Sequence, residues 1–548
     1  MQAVDFSVFS IMKGRYKGET HVAEFALQAT KEDIRQTNVS LDVARMLYNS
    51  TLAELLRRGQ KMRETERWNP LVERNRDIKA KIKPLAAIKD PAPEQITELE
   101  QALALKKEIN VEFSLLCNEF GVNEFSLNKF SRSTKNACHF KDHLDANTIQ
   151  KIDKRVMDAY RRWCFQGGGK PRFKGKNRAF KSLEGKTNKQ GIRFLLGNDK
   201  KPTRVEWHGM TLPVVLSQKD KDGYQAAALQ LIAEGKISFT RIVKRVVKGT
   251  EKLYAQVILQ GTPFVKAHHR KAFAEAAGKV VGTDLGVSTL AYCGEEKAGL
   301  FTGVAEIKQI DQQIRKHQAT ASRLLRLANP DNYEKGQKKK GRKLVTVYPR
   351  KKNVMDTIKT THYLQELAII KELHRKLAAK RKQMHDIYCN EILANGNEII
   401  TEKVTVKAWQ KIFGKSTQAF APAALMCALN RKAENAAGTV HEIATWKAKL
   451  SQYDHKLDDY IKKKLGDRAM LVGGTDLVQR DLYSAYLAFC MDLEKETVCR
   501  NRAEELWAGA RQRLDAAVKP VLNAKSRGDF VPSSAGLDQL VSRGAFAA

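Results

Sequence analysis

Three acidic residues stand where the pattern around them favours something apolar. Asp284 ends the run "GKVVGTD", Glu402 follows Ile399 and Ile400 in "NEIITEKV", and Asp481 opens "DLYSAYLAFC". Glu402 lies 118 positions beyond Asp284, and Asp481 another 79 beyond that. Carboxylates delivered from rigid elements are what Mg2+ requires, because this small cation prefers oxygen ligands and keeps several waters. Two such ions about 4 Å apart activate a water and stabilise the leaving oxygen of a phosphodiester. Packed together without a cation, the same acids repel one another and some take up protons. Each acid taken singly also reads as a helix cap or a surface charge. Spacing does not select this trio from the 61 Asp and Glu residues, and Asp476 competes with Asp481 for the third place.

The elements that must hold these acids are legible around them. The apolar run before Asp284 and the pair Ile399–Ile400 read as short buried strands. Tyr486, Leu487 and Cys490 give the segment after Asp481 the apolar face of a helix. Between the first two acids lies a helical pair, "VAEIKQIDQQIRKHQATASRLLRLA" and "DTIKTTHYLQELAIIKELHRKLAAKRKQMHDIYCNEIL". The basic stretch "YEKGQKKKGRKLVTVYPRKK" joins them as a hairpin or loop.

Upstream, "VDFSVFSIM" and "THVAEFALQA" alternate as strands. From Glu32 to Trp163 the period becomes helical, with Leu41, Ala44, Tyr48, Leu52 and Leu55 on one face. Pro91 and Pro93 mark a connection between helices, and Asp145 or Asn147 caps a third. After three glycines, "TRVEWHGMTLPVVL", "KISFTRIVKRVV" and "KLYAQVILQG" predict strands of a small β-barrel or sandwich. Past Asp481, "RNRAEELWAGARQRLDAAV" predicts one more helix before a disordered end. No repeat of period 20–50 is present, so a solenoid is not expected.

Charge narrows the class of partner. Lys plus Arg number 97 against 61 acids in 548 residues, a formal charge of +36. Such a field attracts polyanions, and nucleic acid is the usual one. An anionic membrane competes for that role but needs an amphipathic helix or lipid anchor, and no apolar run reaches the roughly 18 residues of a spanning helix. Neither a signal peptide nor an anchor is expected, so no membrane partner is. Eight cysteines, none in a CxxC, predict reduced and mostly buried thiols of a cytoplasmic protein.

The motifs add a resemblance. "VVGTDLGVSTLAY", "IITEKV" and "VQRDLYSAYL" resemble the three split motifs of RuvC-like nucleases. Their order and surroundings resemble the TnpB nucleases of transposons and their descendants, the compact type V CRISPR effectors. "YRRWCFQGGGKPRFKGKNRAF" is similar to that family's approach to its wedge domain. "LMCALNRKAENAAGTVHEI" and "SQYDHKLDDYIKKKLGDR" resemble the segments after the second motif and before the third. The likeness covers about residues 150–490.

The resemblance implies a multidomain α/β protein: a ribonuclease H-like (RuvC) core, a β-barrel wedge domain and an α-helical recognition lobe. It implies wedge strands in 1–30, the helical lobe in 31–165 and the wedge barrel in 166–274. The nuclease's first part with the helical pair would span 275–426, a degenerate target-nucleic-acid-binding subdomain 427–475, the third motif 476–494 and an extension 495–548. Asp284, Glu402 and Asp481 become ligands of two Mg2+ ions, with Mn2+ able to substitute, and Arg468 assists at the scissile phosphate. The implied activity is RNA-guided cutting of double-stranded DNA beside a recognised motif. Its partners are a guide RNA and the target, in a monomeric ribonucleoprotein of the prokaryotic cytoplasm, associated with the nucleoid. Length beyond a minimal transposon nuclease points to an expanded or CRISPR-associated member.

One departure stands out. Where the family carries zinc-binding cysteine pairs, this chain has Tyr453, Asp454 and His455, so no structural zinc is expected and His455 reads as a surface or hydrogen-bonding residue. Lys170, Arg172, Lys174, Lys176 and Arg178, interleaved with Phe173 and Phe180, are the expected nucleic-acid clamp, with a solvated basic loop as the alternative. The missing cysteines and the extension also fit an RNA-guided protein that binds DNA and silences without cutting. A transposase working without a guide is the third possibility.

Overall fold

The computed structural model describes residues 18–545 apart from 87, 89, 90, 139, 140, 177, 178, 304, 341, 342, 352, 353, 355, 356 and 465. The expected strand "VDFSVFSIM" and Arg178 lie outside the described residues. The chain divides into two compact units, Met1–Phe264 and Val265–Ala548.

In the first unit, helices Lys31–Arg63, Trp68–Leu85, Pro93–Glu119, Glu124–Ala137 and Ala146–Phe165 form the helical region. Leu41, Ala44, Tyr48, Leu52 and Leu55 are all buried, as a 3.6-residue period requires. Asp145 caps the last helix by accepting the Asn147 and Thr148 amides. Seven antiparallel strands follow the order Ser182–Glu184, Ile237–Val247, Thr250–Gln260, Thr20–Leu27, Met210–Val215, Arg204–Trp207 and Arg193–Leu195. The sequence predicts a barrel or sandwich, but this sheet is a half-barrel: its two end strands, three residues each, share no ladder. Asn188, in the loop between them, instead bonds both backbone groups of Phe194. The helix Tyr224–Ala233 has no counterpart in the sequence reading, because its ten residues are too short and too uniformly apolar to display a period.

The second unit is built on a five-stranded mixed sheet. Its order is Ala298–Thr302, Thr289–Gly294, Val280–Leu285, Glu398–Glu402 and Thr439–Ile443. Thr289–Gly294 is antiparallel to both its neighbours, and the last two strands run parallel to the central one. Both faces are covered, which is why "TLAYCG" is buried throughout its length. On one face Ala291, Cys293 and Ile400 share a core with helices Arg480–Phe489 and Trp507–Ser526. On the other, Val281, Tyr292 and Ile399 pack with the long helix Thr361–Leu393 and with Pro422–Asn435. The basic stretch between the long helices pairs as the ribbon Gly336–Lys340 with Lys343–Val347. The short helix Ala267–Glu275 falls in this second unit.

Two features differ from expectation. Residues 527–545 are ordered: Ala535, Leu537 and Leu540 are buried, and Leu537–Ser542 is helical. Their anchors are too few to give a readable period. All eight cysteines are free, but only Cys117, Cys293, Cys389 and Cys490 are buried, and Cys427 is exposed. Among the described residues no helix is long and apolar enough to cross a membrane.

Candidate active site

Asp284 and Glu402 arrive on adjacent parallel strands. Thr283 is in register with Thr401, so the two acids follow side by side where the ladder ends. Side chains alternate across a strand. Ile400 and Gly282 face the Arg480–Phe489 helix, so Glu402 and Asp284, two residues further on, do too. Asp481 sits in the first turn of that helix, where an acid suits the helix dipole. Gln479 caps it, its side chain accepting the Leu482 amide at 2.6 Å.

The helix approaches unusually closely. A Cβ on Gly282 would fall 2.1 Å from the Ala485 carbonyl oxygen and 2.2 Å from the Phe489 nitrogen. Only glycine therefore lets Asp481 descend to the level of Asp284.

Electrostatics registers the convergence. Asp284's carboxyl is held well above the usual carboxylate range, first by burial and then by the negative charges of Asp481 and Glu402; Arg480 and Arg468 oppose this. Burial also raises Glu402, against a hydrogen bond from the Leu450 amide at 3.3 Å. Asp481 is buried. Its Oδ1 lies 3.6 Å from Arg468 Nη1 and 3.5 Å from Arg480 Nη2, and its Oδ2 accepts from the Thr289 hydroxyl at 3.3 Å. Among the described residues, no three His, Cys, Asp or Glu side chains are arranged as a set that could hold a metal ion. Both Asp481 oxygens and Glu402 Oε1 are engaged by protein donors. In donor chemistry alone the trio suits a hard cation, being three carboxylic acids, two at the ends of adjacent strands and one at a helix start.

Arg468, Arg480, Thr289 and Leu450 complete the surroundings. Arg468 reaches Asp481 because the ribbon Ala469–Val472/Asp476–Gln479 doubles the chain back, with the Arg480 amide donating to the Arg468 carbonyl at 2.9 Å. Nothing in the sequence pattern marks Thr289 or the Leu450 amide as part of the site. Arg480 carries one signal: a cation at the first position of a helix, where the dipole disfavours it. Asp476 is occupied elsewhere, accepting from Lys456 Nζ at 2.7 Å and Trp507 Nε1 at 2.8 Å.

His455 is fully buried, not at the surface. Its Nδ1 lies 2.7 Å from the Tyr483 hydroxyl, and Tyr483, Tyr486 and Trp507 surround its ring. Beside it the buried Asp454 accepts the Lys456 and Gly473 amides, tying the small ribbon Tyr453–Asp454/Asp459–Tyr460 to the ribbon Ala469–Val472/Asp476–Gln479.

In the first unit, the basic segment divides. Lys174 is tied down: its amide and carbonyl both bond Asn49, and its ammonium lies 5.0 Å from the ring centres of Tyr48 and Phe180. Lys170, Arg172 and Lys176 are exposed, as is Phe173, while Phe180 is half-buried.

No family model matches this chain, and no curated protein does. Among solved structures, a chain in "Cryo-EM structure of the Cas12f1-sgRNA-target DNA complex" is similar over 85% of this chain and 98% of its own. The identity is 10% and the TM-score 0.37. A likeness at that score and identity carries no weight for fold or function.

Proposed function

We propose that this protein is an RNA-guided DNA endonuclease of the TnpB and compact type V kind, hydrolysing phosphodiesters in a RuvC-like site. The observation that carries the reading is the meeting of Asp284, Glu402 and Asp481 at neighbouring strand ends and a helix start. The sheet supports it: an antiparallel three-strand run followed by two strands parallel to the central one is the ribonuclease H-like order, with Asp284 on that central strand.

Asp284, Glu402 and Asp481 would hold Mg2+ or Mn2+, whose chemistry there is to lower the pKa of a bound water and offset charge on the leaving oxygen. The chain's own residues account for the rest. Arg468 and Arg480 set guanidinium charge beside Asp481, where a phosphate oxygen gains charge-assisted donors. Thr289 and the Leu450 amide orient the carboxylates of Asp481 and Glu402. The basic load grips nucleic acid through its backbone, so affinity falls steeply with salt. The exposed Lys170, Arg172 and Lys176 are its nearest local instance.

The test is cleavage of a randomised DNA library by particle purified with its co-expressed RNA, in Mg2+. Cutting that Asp284→Ala abolishes supports the reading, and no cutting under any guide rejects it. A second reading, binding and silencing without cutting, draws on the two arginines already paired with Asp481. It predicts that silencing in cells survives Asp284→Ala unchanged.

A further inference from the structure

We infer that Gln539 is a positioning residue for Arg468, so that the segment Ser533–Ser542 is part of the nuclease site. The inference rests on the nuclease reading above and assigns that site a component from outside its three motifs.

One side-chain amide brackets the approach to Arg468. Gln539 Oε1 accepts the Arg468 amide at 2.6 Å and the Ala469 amide at 3.1 Å, while its Nε2 donates to the Gly466 carbonyl at 2.8 Å. Three backbone groups of the chain entering the ribbon are thus satisfied by a residue some seventy positions later. On the far side, the Arg468 carbonyl receives the Arg480 amide. The Arg468 backbone is held between the helix that carries Asp481 and the amide of Gln539.

The contact is built for closeness. Gly536, at φ +74°, lies against Arg468, and a Cβ there would fall 2.5 Å from the Arg468 Cβ. Leu537 and Leu540, both buried, fix the helix on either side of Gln539. Ser534 meets Ser288 hydroxyl to hydroxyl at 2.7 Å, so the same segment also grips the loop that follows Asp284. Arg468 is flexible along its side chain, and where its guanidinium can reach is set by where its backbone is anchored. A displacement of about 1 Å in such a group costs up to about a hundredfold in rate.

The experiment compares Gln539→Ala, Gln539→Glu and Arg468→Ala particles, and the Gln539→Ala/Arg468→Ala double variant, in single-turnover cleavage with measured target affinity. Glutamate keeps the acceptor for both amides but replaces the donor to Gly466 by a second carboxylate oxygen, which turns away from the Gly466 carbonyl. Expected are a loss of about tenfold in the cleavage rate for Gln539→Ala with unchanged target Kd, rescue to within about threefold by Gln539→Glu, and no further loss when Gln539→Ala is added to Arg468→Ala. Hydrogen exchange at the Arg468 and Ala469 amides should quicken in Gln539→Ala. A wild-type rate in Gln539→Ala, or losses that multiply in the double variant, overturns the inference alone while the nuclease reading stands. Global destabilisation in Gln539→Ala with full activity per folded particle also overturns it. A wild-type particle that never cuts removes both.

Discussion

Gly282 lies directly beneath Ala485, with 2.1 Å between the place its Cβ would occupy and the Ala485 carbonyl oxygen. The strand bearing the first acid and the helix bearing the third touch backbone to backbone at this point. Gly282→Ala must push the helix away or distort the strand. We expect a loss of about 1–3 kcal/mol in stability and at least a tenfold fall in cleavage by the protein that remains folded. Chemical denaturation and single-turnover cleavage measure the two.

The acids themselves give the sharpest test. Asp284→Ala, Glu402→Ala and Asp481→Ala should each lower cleavage by about a thousandfold, equivalent to about 4 kcal/mol of lost transition-state stabilisation. Guide RNA retention and target binding should be unchanged, as read by filter binding. Full activity in any one of the three removes that residue from the site.

Glu184 is a half-buried anion shared by three cations: Lys151 at 2.9 Å, Arg155 at 3.1 Å and Arg241 at 3.0 Å. It is held down to about 2, burial opposing and the Lys151 hydrogen bond and the three positive charges prevailing. Glu184→Gln leaves that positive charge uncompensated, and about 3 kcal/mol of stability should go with it at pH 7. A carboxyl lowered in the folded state stabilises above its unfolded pKa, and that contribution fades as pH falls towards 2. The gap between wild type and variant, followed by urea denaturation, should therefore narrow below about pH 4.5.

Asp153 behaves in the opposite sense. Burial raises it to about 6 although the Ser131 hydroxyl and Asn128 amide donate to it. The folded chain keeps a proton there that the unfolded chain releases near pH 4, so its contribution is full below that pH and lost as pH rises through 6. Asp153→Asn cannot ionise. Relative to it, wild type should lose about 3 kcal/mol between pH 4 and 7, and parallel stability curves would refute this.

Trp507 packs against His455, Tyr483 and Tyr486 and donates to Asp476. Trp507→Ala should cost about 3–5 kcal/mol and loosen both small ribbons. A zinc chelator should leave the melting temperature unchanged. A chelator-induced drop would mean that metal, not aromatic packing, holds this region.

Local pattern carried a reading as far as local pattern decided the structure. Long helices and alternating strands repeat a period many times, and the face from Leu41 to Leu55 is buried as expected. The half-barrel departs from the reading because closure depends on whether two three-residue strands meet, which no period encodes. His455 was readable as a hydrogen-bonding residue, but its burial depends on Trp507, fifty-two positions away. Of the site, the three acids are named by their motifs. Arg480, Thr289 and the Leu450 amide act through position alone, and Gln539 is distant in sequence from everything it touches.

The order in which these parts are made has a consequence. Asp284 and Glu402 leave the ribosome on strands that can pair early, while the Asp481 helix and Gln539 emerge more than 70 and 130 residues after Glu402. At a synthesis rate of about 5–20 residues per second, the growing chain spends several seconds with two acids in place and neither the third nor the brace on Arg468. On the nuclease reading, a chain still being made carries two of the acids without the third, and the site can assemble only after Gln539 has emerged.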